Sequence, residues 1–590
     1  MCGILAACNF AGCKSRNRKR MVHLAKRLRH RGPDWSSTAV VQNKEGDSAH
    51  YLCHERLAIV SPGEAADQPF YLKHDDPRLP SEGGHGSGEG QIVWMVNGEI
   101  YNHEKLKSQF YLHGLLRSRS DSEIVGLLYW QFGARMVPML DGMYAFVLVD
   151  TRTEPPTILA ARDHMGICPL YIGYGKDDSV WFSSEMKCLR DDVERYEIFP
   201  PGHMYYNGEI QRWYNPLWIT PNYLPDGEAD FGLVKTTLIK AVIKRLMTDV
   251  PCGVLLSGGL DSSLVTSIAV RHGVEAHNML RWAPRMHTFS IGMKNAPDLR
   301  AARAVADHLD TIHHEFHFTV EEALDCLEDL IWHLESWHQV RASVPMYLLA
   351  RKIKALGIKM VLSGEGADEI FAGYLYFHKC PSPEAMQAEL VRKVTRLHQW
   401  DVLRANKSTQ AWGLEARVPF LDKAFMDVSM NIDPKEKMIN AEERPDGVHP
   451  RIEKYILRKA FDDQKRPYLP DSVLWRQKEA FSDGVGYDWV DGLKKYADEQ
   501  ISDELFARRE ELYPFETPET KEYFLLRQIF ESHFSQNTKE SALNTVPSGK
   551  SIACSTPEAV SWHKEWLHGP SDISGRAVGG VHVAGDAFKR

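Results

Sequence analysis

Residues 253–264 read GVLLSGGLDSSL, an apolar run that passes through two glycines into a polar helix start. Glycine at positions 258 and 259 permits positive φ and lets backbone N–H groups approach a bound anion. The N-terminus of the following helix adds the positive end of its dipole. Hydroxyl donors flank the turn at Ser257, Ser262 and Ser263. The segment therefore predicts a strand, a phosphate-binding loop and a helix, and Leu256, Gly258 and Gly259 belong to that loop.

This loop differs from a Walker A loop, which requires a lysine after its last glycine. Asp261 stands there instead, and a carboxylate repels phosphate unless a cation lies between them. Mg²⁺ bridging the carboxylate and phosphate oxygens removes that conflict. A plain Gly–Ser turn between a strand and a helix is the alternative reading.

A second loop, VLSGEGADEIFAGY at residues 361–374, repeats the strand–Ser–Gly–helix order and is rich in acidic residues. On a helix, Glu365 and Asp368 would lie three apart on one face. One of them would hold the metal while the other acts as a base. The alternative is an acidic first turn that complements the helix dipole, with Glu369 as a third member.

Strand-like and helical segments alternate around both loops. The runs GVLL, HTFSIGM and KMVL each precede a helical pattern, as DLRAARAVADHL does after the second run. Such alternation predicts βαβ units with a parallel sheet, and ligands then bind at the carboxyl ends of the strands. The second half of the chain is therefore expected to be an α/β domain.

The first part of the chain is rich in short β-like runs, including IVWMVNGEIYN, YAFVLVD, TILAARD and SVWFSSE. Pro, Asn and Gly accumulate around YNPLWITPNYLPDGEADFG, which indicates a linker. Residues 81–91 have the composition of a flexible surface insertion. We therefore expect a first domain at 2–215, a linker at 216–232, a second domain at 233–540 and an irregular tail at 541–590.

Bulk properties narrow the function further. A chain of 590 residues is too long to fold around one hydrophobic core, so two or more domains are expected. Its net charge of −8 gives no reason to expect nucleic acid or an anionic membrane as partner. No apolar run is long enough for a transmembrane helix, and the start lacks the basic region of a signal peptide. The ten cysteines are scattered, which favours reduced thiols in the cytoplasm.

The chain begins MCGIL, which places a thiol at position 2. Removal of Met1 would leave Cys2 with a free α-amine beside its own thiol. The reference pKa values of the two groups lie about one unit apart, near 8, so the amine can serve as base for the thiol. A nucleophile at position 2 explains a cysteine that would otherwise be incidental.

Four motifs accompany Cys2: RHRGPDW at 29–35, ERLAIV at 55–60, VNGEIYN at 96–102 and SDSE at 120–123. Together they resemble the class II glutamine amidotransferase domain, an αββα N-terminal nucleophile sandwich that releases ammonia from glutamine. The resemblance implies that Arg56 binds the α-carboxylate of glutamine and that Asp121 and Glu99 receive its α-ammonium. It further implies that Asn97 and Gly98 form an oxyanion hole. The adjacent wall of the glutamine pocket would be formed by Leu57, Ala58, Ile59 and Val60. Taken singly, these residues also fit a surface arginine, a type I′ Asn–Gly turn and a solvated aspartate.

The SGGLDSS loop resembles that of the N-type ATP pyrophosphatases, which cleave ATP between its α and β phosphates. An amidotransferase domain followed by this loop is similar to the glutamine-hydrolysing asparagine synthetase family. That resemblance implies that aspartate, ATP and glutamine give asparagine, AMP, pyrophosphate and glutamate through β-aspartyl-AMP, with ammonia passing inside the protein. It assigns Glu365 as the base and Lys478 as the cation that neutralises phosphate, with metal ligands Asp261 and Asp368. Further ATP contacts would come from Leu256, Ile291, Ser363 and Gly364.

The chain departs from the family pattern at residues 335–343, ESWHQVRAS, where the family usually reads ETYDVTTIRAS. Arg341 and Ser343 are kept, and the two threonines are missing. Two alternatives therefore stay open. One is a related amidotransferase that acts on another carboxylate, and the other is a regulator that binds glutamine and nucleotide with an impaired synthetase site. The family analogy also implies a homodimer.

Overall fold

The structure is a computed structural model, and it describes residues 1–43, 48–73, 75–76, 90–273, 285–478, 484–535, 538–549, 551 and 554–567. Of the predicted insertion at 81–91, residues 81–89 lie outside the described residues. Among the described helices, none combines the length and the hydrophobicity that crossing a bilayer requires.

The first half contains two antiparallel sheets of six strands each. The first sheet has the order β10-β8-β9-β1-β3-β2 and the second the order β12-β11-β7-β6-β5-β4. These strands are β1 (Gly3–Ala11), β2 (Trp35–Gln42), β3 (Ser48–Arg56), β4 (Phe70–Lys73), β5 (Gln91–Ile100), β6 (Gly142–Asp150), β7 (Thr157–Arg162), β8 (Tyr171–Tyr174), β9 (Val180–Ser183), β10 (Arg195–Ile198), β11 (His203–Tyr206) and β12 (Glu209–Arg212).

The second half contains a parallel sheet of five strands in the order β15-β14-β13-β16-β17. Its strands are β13 (Cys252–Leu255), β14 (His287–Gly292), β15 (Ile312–His317), β16 (Met360–Leu362) and β17 (Glu415–Arg417). Strands β13, β14 and β16 coincide with the three runs predicted from the sequence. The predicted α/β domain with a parallel sheet is therefore confirmed.

The described helices are distributed over both halves. They are α1 (Lys14–Ala25), α2 (His103–Gln109), α3 (Ile124–Phe132), α4 (Phe231–Lys244), α5 (Leu260–His272), α6 (Pro297–Leu309), α7 (Val320–Asp325), α8 (Leu327–Leu334), α9 (Val340–Ala355), α10 (Ala367–Ile370), α11 (Pro383–Arg396), α12 (Asp401–Gln410), α13 (Lys423–Met430), α14 (Pro434–Lys437), α15 (Tyr455–Ala460), α16 (Asp471–Leu474), α17 (Tyr487–Gln500), α18 (Asp503–Ala507), α19 (Arg509–Leu512), α20 (Lys521–Phe534), α21 (Lys539–Thr545) and α22 (Lys564–Leu567).

Strand β1 shows how the first half is layered. Ile4, Ala6 and Cys8 belong to the core between the two sheets, where the second sheet contributes Val93 and Met95. The alternate residues of β1 face helix α1, because successive side chains of a strand point to opposite faces. The outer face of the second sheet packs on α3. Four layers, helix–sheet–sheet–helix, result, and the predicted αββα sandwich is confirmed.

One alternative reading and two local expectations differ from the structure. Asn97 and Gly98 lie inside β5 and are paired with β6, so the Asn–Gly pair is no hairpin turn. Glu365 lies before helix α10, because Gly366 takes a left-handed conformation (φ 101°) as its N-cap and breaks the helical run. The predicted irregular tail contains most of α21, a 3₁₀ turn at Glu558–Trp562 and α22, so its described part is more regular than expected.

Candidate active sites

Cys2 lies at the start of the inner strand β1 and is 7% exposed. Its Sγ accepts a hydrogen bond from the Leu57 amide at 3.4 Å, and its carbonyl oxygen accepts one from Arg31 Nε at 3.0 Å. Burial raises the pKa of the Cys2 thiol, while the nearby terminal ammonium acts in the opposite direction. The α-amine of Met1 is ion-paired with Glu415 of β17. The thiol is thus enclosed between the two halves of the chain.

Asn97 and Gly98 follow one another on β5, a strand of the second sheet. The Asn97 side-chain amide donates to Ser184 Oγ at 3.4 Å, and its Oδ1 finds no partner among the described residues. Gly98 has φ 128°, and a Cβ there would lie 2.0 Å from the Met143 carbonyl oxygen. Only glycine fits this position, which keeps the backbone beside Asn97 uncovered by a side chain.

Arg56 ends β3, and its guanidinium is enclosed by oxygen acceptors. It lies 2.6 Å from Asp67 Oδ1, 2.6 Å from the Ser61 carbonyl oxygen and 3.1 Å from the Gly63 carbonyl oxygen. In the segment that follows Arg56, Leu57, Ala58 and Ile59 are buried and Val60 is half-buried. The segment 57–60, which the sequence predicts as a pocket wall, therefore follows Arg56 directly, and its first residue, Leu57, contacts the thiol of Cys2.

Glu99 and Asp121 differ in their partners. Glu99 forms an ion pair with Arg417 of β17 at 3.0 Å, and burial, followed by the charge of Asp121, raises its pKa well above the ordinary value. Asp121 accepts a hydrogen bond from the Ile100 amide at 2.6 Å. Glu99 consequently connects the two halves of the molecule, while Asp121 stays within the first.

A cavity of about 410 Å³ opens at the carboxyl ends of β13, β14 and β16. Both glycine-containing loops reach it, as the rule for open parallel sheets predicts. The sequence-predicted residues that line it are Leu256, Ser257, Gly259, Asp261, Ser262, Ile291, Ser363, Gly364, Glu365, Asp368 and Lys478. Ser263 is fully buried in α5 instead, and its hydroxyl finds no partner among the described residues.

The first loop has the tight geometry that its glycines suggest. Gly258 has φ 77°, and a Cβ there would lie 2.4 Å from the Ala302 amide nitrogen. Gly259 has φ −73° and caps helix α5, so only the first of the two glycines uses a positive φ. Ser262 Oγ accepts from the Ser257 amide at 3.2 Å, which closes the loop on itself.

Asp261 and Asp368, one from each loop, converge on the same cations. Lys454 Nζ lies 2.5 Å from Asp261 Oδ2 and 2.7 Å from Asp368 Oδ1, and Lys478 Nζ lies 2.9 Å from Asp368 Oδ2. Burial alone would raise the pKa of Asp368, but the two lysines outweigh it and hold that pKa below its usual range. Asp261 Oδ1 is buried without a hydrogen-bond partner among the described residues.

Glu365 faces the same cavity from the second loop. Arg404 Nη2 donates to its Oε1 at 2.7 Å, and the same guanidinium contacts Asp401 at 2.9 Å. Burial raises the pKa of Glu365, and Arg404 partly opposes that effect. A buried carboxyl group whose pKa is raised can exchange a proton nearer to neutral pH than a solvated one.

A segment near the end of the chain covers the cavity from outside. Gly549, Ser551 and Cys554 line it. The segment is anchored on α11, because Lys393 Nζ donates to the Cys554 carbonyl oxygen at 2.9 Å and Thr556 Oγ1 donates to Glu389 at 2.6 Å. We call residues 546–556 the strap, of which 546–549, 551 and 554–556 are described.

Comparison with known proteins matches both halves. A family model described as asparagine synthase matches residues 233–384 and 379–563, and a model of a glutamine amidotransferase domain matches residues 1–198. Asparagine synthetase [glutamine-hydrolyzing] 2 of Oryza sativa subsp. japonica is 52% identical over 588 residues, which cover 99% of this chain and 93% of the relative. The chain belongs to the glutamine-hydrolysing asparagine synthetase family.

Further members of the family are equally similar. Asparagine synthetase [glutamine-hydrolyzing] of Zea mays is 51% identical over 98% of this chain and 93% of its own length. Asparagine synthetase [glutamine-hydrolyzing] 3 of Arabidopsis thaliana is 52% identical over 99% of this chain and 96% of its own length. Among solved structures, a glutamine phosphoribosylpyrophosphate amidotransferase from B. subtilis aligns with 54% of this chain and 91% of its own, at 16% identity and a TM-score of 0.31.

In this member of the family, the cavity residues that were not predicted from the sequence include Lys454, Arg404, Asp401 and Gln339. None of them lies in a glycine loop or in a motif with a fixed spacing. Lys454 takes φ 60° at the N-cap of α15, a place where a positive charge is unfavourable to the helix dipole. Its partners are known only from the fold, so the sequence contained no signal for its role.

The two halves of this asparagine synthetase family member meet along a buried polar junction, where ion pairs within each half are joined by hydrogen bonds between the halves. Arg31 Nη1 lies 3.0 Å from Glu185 Oε1, and Arg31 Nη2 donates to Asn406 Oδ1 at 3.2 Å. Lys407 of α12 pairs with Glu335, which also accepts the Met186 amide at 2.9 Å. Residues of the second half thus form part of the wall behind Cys2.

Proposed function

We propose that the chain makes asparagine from aspartate and ATP with nitrogen taken from glutamine, forming AMP, pyrophosphate and glutamate. The observation that carries this proposal is the convergence of Asp261 and Asp368, from two separate strand–loop units, on Lys454 and Lys478 at one cavity. Carboxylate oxygens that can bind a metal, and ammonium groups that can bind phosphate, together favour binding of a nucleoside triphosphate at the carboxyl edge of a parallel sheet. Membership of the family supports the same reaction.

In the first half, Cys2 acts as the nucleophile once Met1 has been removed. Its α-amine takes the thiol proton, the thiolate attacks the side-chain amide of glutamine, and the α-ammonium returns the proton to the leaving nitrogen, which gives a thioester and ammonia. Water then hydrolyses the thioester, so that glutamate leaves and the thiol is restored. The Asn97 side chain and the Gly98 N–H stabilise the oxyanion of that step. Arg56 holds the α-carboxylate of glutamine, and Asp121 with Glu99 holds its α-ammonium. The wall at Leu57, Ala58, Ile59 and Val60 completes the pocket.

In the second half, the loop at 257–263 holds the pyrophosphate portion of ATP, and Leu256 and Ile291 contact the nucleotide. Ser363 and Gly364 approach the phosphates from the second loop. The β-carboxylate of aspartate attacks the α-phosphorus, β-aspartyl-AMP forms, and pyrophosphate leaves toward Lys478. The cationic groups Lys454 and Lys478 offset the negative charge of the phosphates at this point.

Mg²⁺ fits the carboxylate pair at the cavity. Asp261 and Asp368 supply the oxygen ligands that this ion prefers, and Asp261 Oδ1 is buried without a protein partner among the described residues. When bound there, Mg²⁺ supplies charge neutralisation between carboxylates and phosphates. Asp261 and Asp368 are therefore the proposed ligands.

Ammonia completes the reaction at the cavity of the second half. Glu365 accepts a proton as ammonia attacks the activated β-carboxyl carbon, and AMP leaves. Ammonia released at Cys2 follows the junction between the halves, because free ammonia would be protonated and lost in water. We further infer a homodimer from the family, and a reducing compartment such as the cytoplasm, since all ten cysteines are free in the structure.

The test combines product analysis with one pair of variants. The purified chain, incubated with aspartate, ATP and either glutamine or ammonia, should yield asparagine and AMP with both nitrogen sources. Cys2→Ala should reduce glutamine-dependent formation of asparagine by at least 10³-fold, because the nucleophile is lost, and leave the ammonia-dependent rate within about twofold. Cys13→Ala, at an exposed cysteine of the same N-terminal segment, should change neither rate.

ADP in place of AMP, or the absence of asparagine with both nitrogen sources, would contradict the proposed reaction. Glutamine-dependent synthesis by the Cys2→Ala variant would contradict the assigned nucleophile. N-terminal sequencing of the same preparation shows whether Met1 has been removed.

A further inference from the structure

Gln339 stands between the shortened segment and the proposed base. It is the N-cap of α9, with φ 62°, and its carbonyl oxygen accepts from the Ser343 amide at 2.9 Å and the Ser343 hydroxyl at 2.8 Å. The backbone is thereby fixed in a conformation that a glutamine rarely adopts. A side chain on such a backbone has its direction set by the fold.

The Gln339 side chain contacts Arg404. Arg404 Nη1 donates to Gln339 Oε1 at 2.9 Å, and Nη2 of the same guanidinium donates to Glu365 Oε1 at 2.7 Å. Nη1 also lies 2.9 Å from Asp401 Oδ1, so Gln339 and Asp401 together hold this nitrogen, and the planar, rigid guanidinium then sets the direction of Nη2. Gln339 and Arg404 also both line the cavity with Glu365.

We infer that Gln339 is a positioning residue for amide formation: it orients Arg404, and through Arg404 it holds Glu365 toward the attacking ammonia. This inference rests on the proposed function and deepens it. The segment without threonines therefore still contributes to the cavity: Trp337 and His338 line it with aromatic rings, and Gln339 lines it with its side-chain amide. Among the described residues, the loop at 257–263 makes no hydrogen bond to Gln339, so we expect Gln339 to affect amide formation more than cleavage of ATP.

The charged surroundings of Glu365 define the pH test. Arg404 and Asp401 face it from α12, and Lys478 faces it from the segment after α16. Burial raises the pKa of the Cys554 thiol, on the strap side of the cavity, to about 11, so that thiol stays uncharged near neutral pH. A new carboxylate at position 339 would add a second negative charge on the side of Arg404, and like charges raise the pKa of a carboxyl group.

Two variants separate position from charge. Gln339→Met keeps the volume and removes the acceptor, and should lower ammonia-dependent asparagine turnover about tenfold while ATP–pyrophosphate exchange stays within about twofold. Gln339→Glu should move the acidic limb of the pH profile of that turnover by about half a pH unit or more toward higher pH, measured at constant unprotonated ammonia. Gln399→Ala, at a nearby glutamine outside this contact, should change neither quantity.

The outcomes are distinct. Wild-type turnover in Gln339→Met together with an unmoved acidic limb in Gln339→Glu would overturn the inference while leaving the proposed function intact. Equal losses of exchange and turnover would also overturn it, because Gln339 would then serve only the fold. A wild-type chain that forms no asparagine from aspartate, ATP and ammonia would overturn the proposed function and this inference with it.

Discussion

At the scale of single residues, the surroundings of Asp368 and Glu369 give two adjacent carboxylates opposite properties. Asp368 faces Lys454 and Lys478, and its pKa lies below the usual range despite burial. Glu369 is buried, accepts a hydrogen bond from the Tyr374 hydroxyl and lies near Asp401, and its pKa is raised to about 8, chiefly by burial. Sequence position therefore says little about charge, and the partners decide it.

Lys437, the last residue of α14, offers a test at this scale. It is 5% exposed, and its ammonium nitrogen finds no hydrogen-bond partner among the described residues. Burial lowers its pKa to about 7. Above pH 7 the folded chain has released a proton that the unfolded chain keeps until about pH 10, so the stability of the native chain rises with pH across that window.

We expect Lys437→Met to stabilise the fold by about 3 kcal/mol near pH 7, and the gain to disappear as the pH approaches 10. Thermal unfolding midpoints measured from pH 7 to pH 10 report the difference. Lys435→Met, on the same helix but with a side chain 71% exposed, should shift the midpoint little at any pH. A gain for Lys437→Met that is independent of pH would refute the burial account.

At the scale of elements, the unit β13–loop–α5 depends on one glycine. Gly258 has φ 77°, and a Cβ there would lie 2.4 Å from the Ala302 amide nitrogen and 2.6 Å from Ala301 Cβ. Both the backbone conformation and the space exclude a side chain, and α6, which carries these alanines, is part of the same core. The loop cannot keep its shape if this residue changes.

Gly258→Ala should therefore lower ATP–pyrophosphate exchange at least 100-fold and leave hydrolysis of glutamine by the first half within about threefold. Gly357→Ala is the matched control, because Gly357 has φ 78° and no atom of the described residues lies within 4 Å of the position that an alanine Cβ would take there. That change should cost only about 1 kcal/mol of stability, from the strained φ. Equal loss of exchange in both variants would assign the effect to backbone strain rather than to the contact with α6.

The elements also show what a sequence can predict. Strands β5, β6, β7 and β9 were predicted from apolar and aromatic runs bounded by glycine, aspartate and asparagine, and β13, β14 and β16 were predicted because their apolar runs alternate with helical patterns. Asp261 was predicted as a metal ligand because a carboxylate beside phosphate needs a cation between them, and Asp368 was predicted as a metal ligand because it shares an acidic loop with the proposed base Glu365. Lys454 and Gln339 were not predicted, since their partners lie far away in the chain and neither occupies a motif. Ser263 was expected to face phosphate and is buried, because it falls on the inner side of α5.

At the scale of the whole molecule, the two halves share their sites. Arg417 of β17 pairs with Glu99 of the first half at 3.0 Å, and His164 Nε2 of the first half lies 2.8 Å from the Leu421 carbonyl oxygen. Buried ion pairs of this kind are costly to break, because each partner would be left without compensation. The junction therefore fixes the first half, which contains Cys2, relative to the cavity of the second half.

The strap extends this sharing to the last part of the chain. Its anchors are Thr556 on Glu389 and Cys554 on Lys393, and Ser551 lines the cavity beside the loops. A chain ending at residue 546 would lose this wall and expose the cavity to water, which competes with ammonia for an activated carboxyl group. Asparagine formation should fall at least tenfold, and the rate of glutamine hydrolysis should stay that of the full-length chain.

A chain ending at residue 567 is the matched control, since it keeps the strap, its anchors and helix α22. It should retain asparagine formation within about twofold. Measuring AMP and asparagine together decides the cause of any loss: AMP formed without asparagine in the shorter chain points to water entering the open cavity. Full coupling of AMP to asparagine in that chain would mean that the strap does not exclude water, and its contacts with α11 would then serve stability alone.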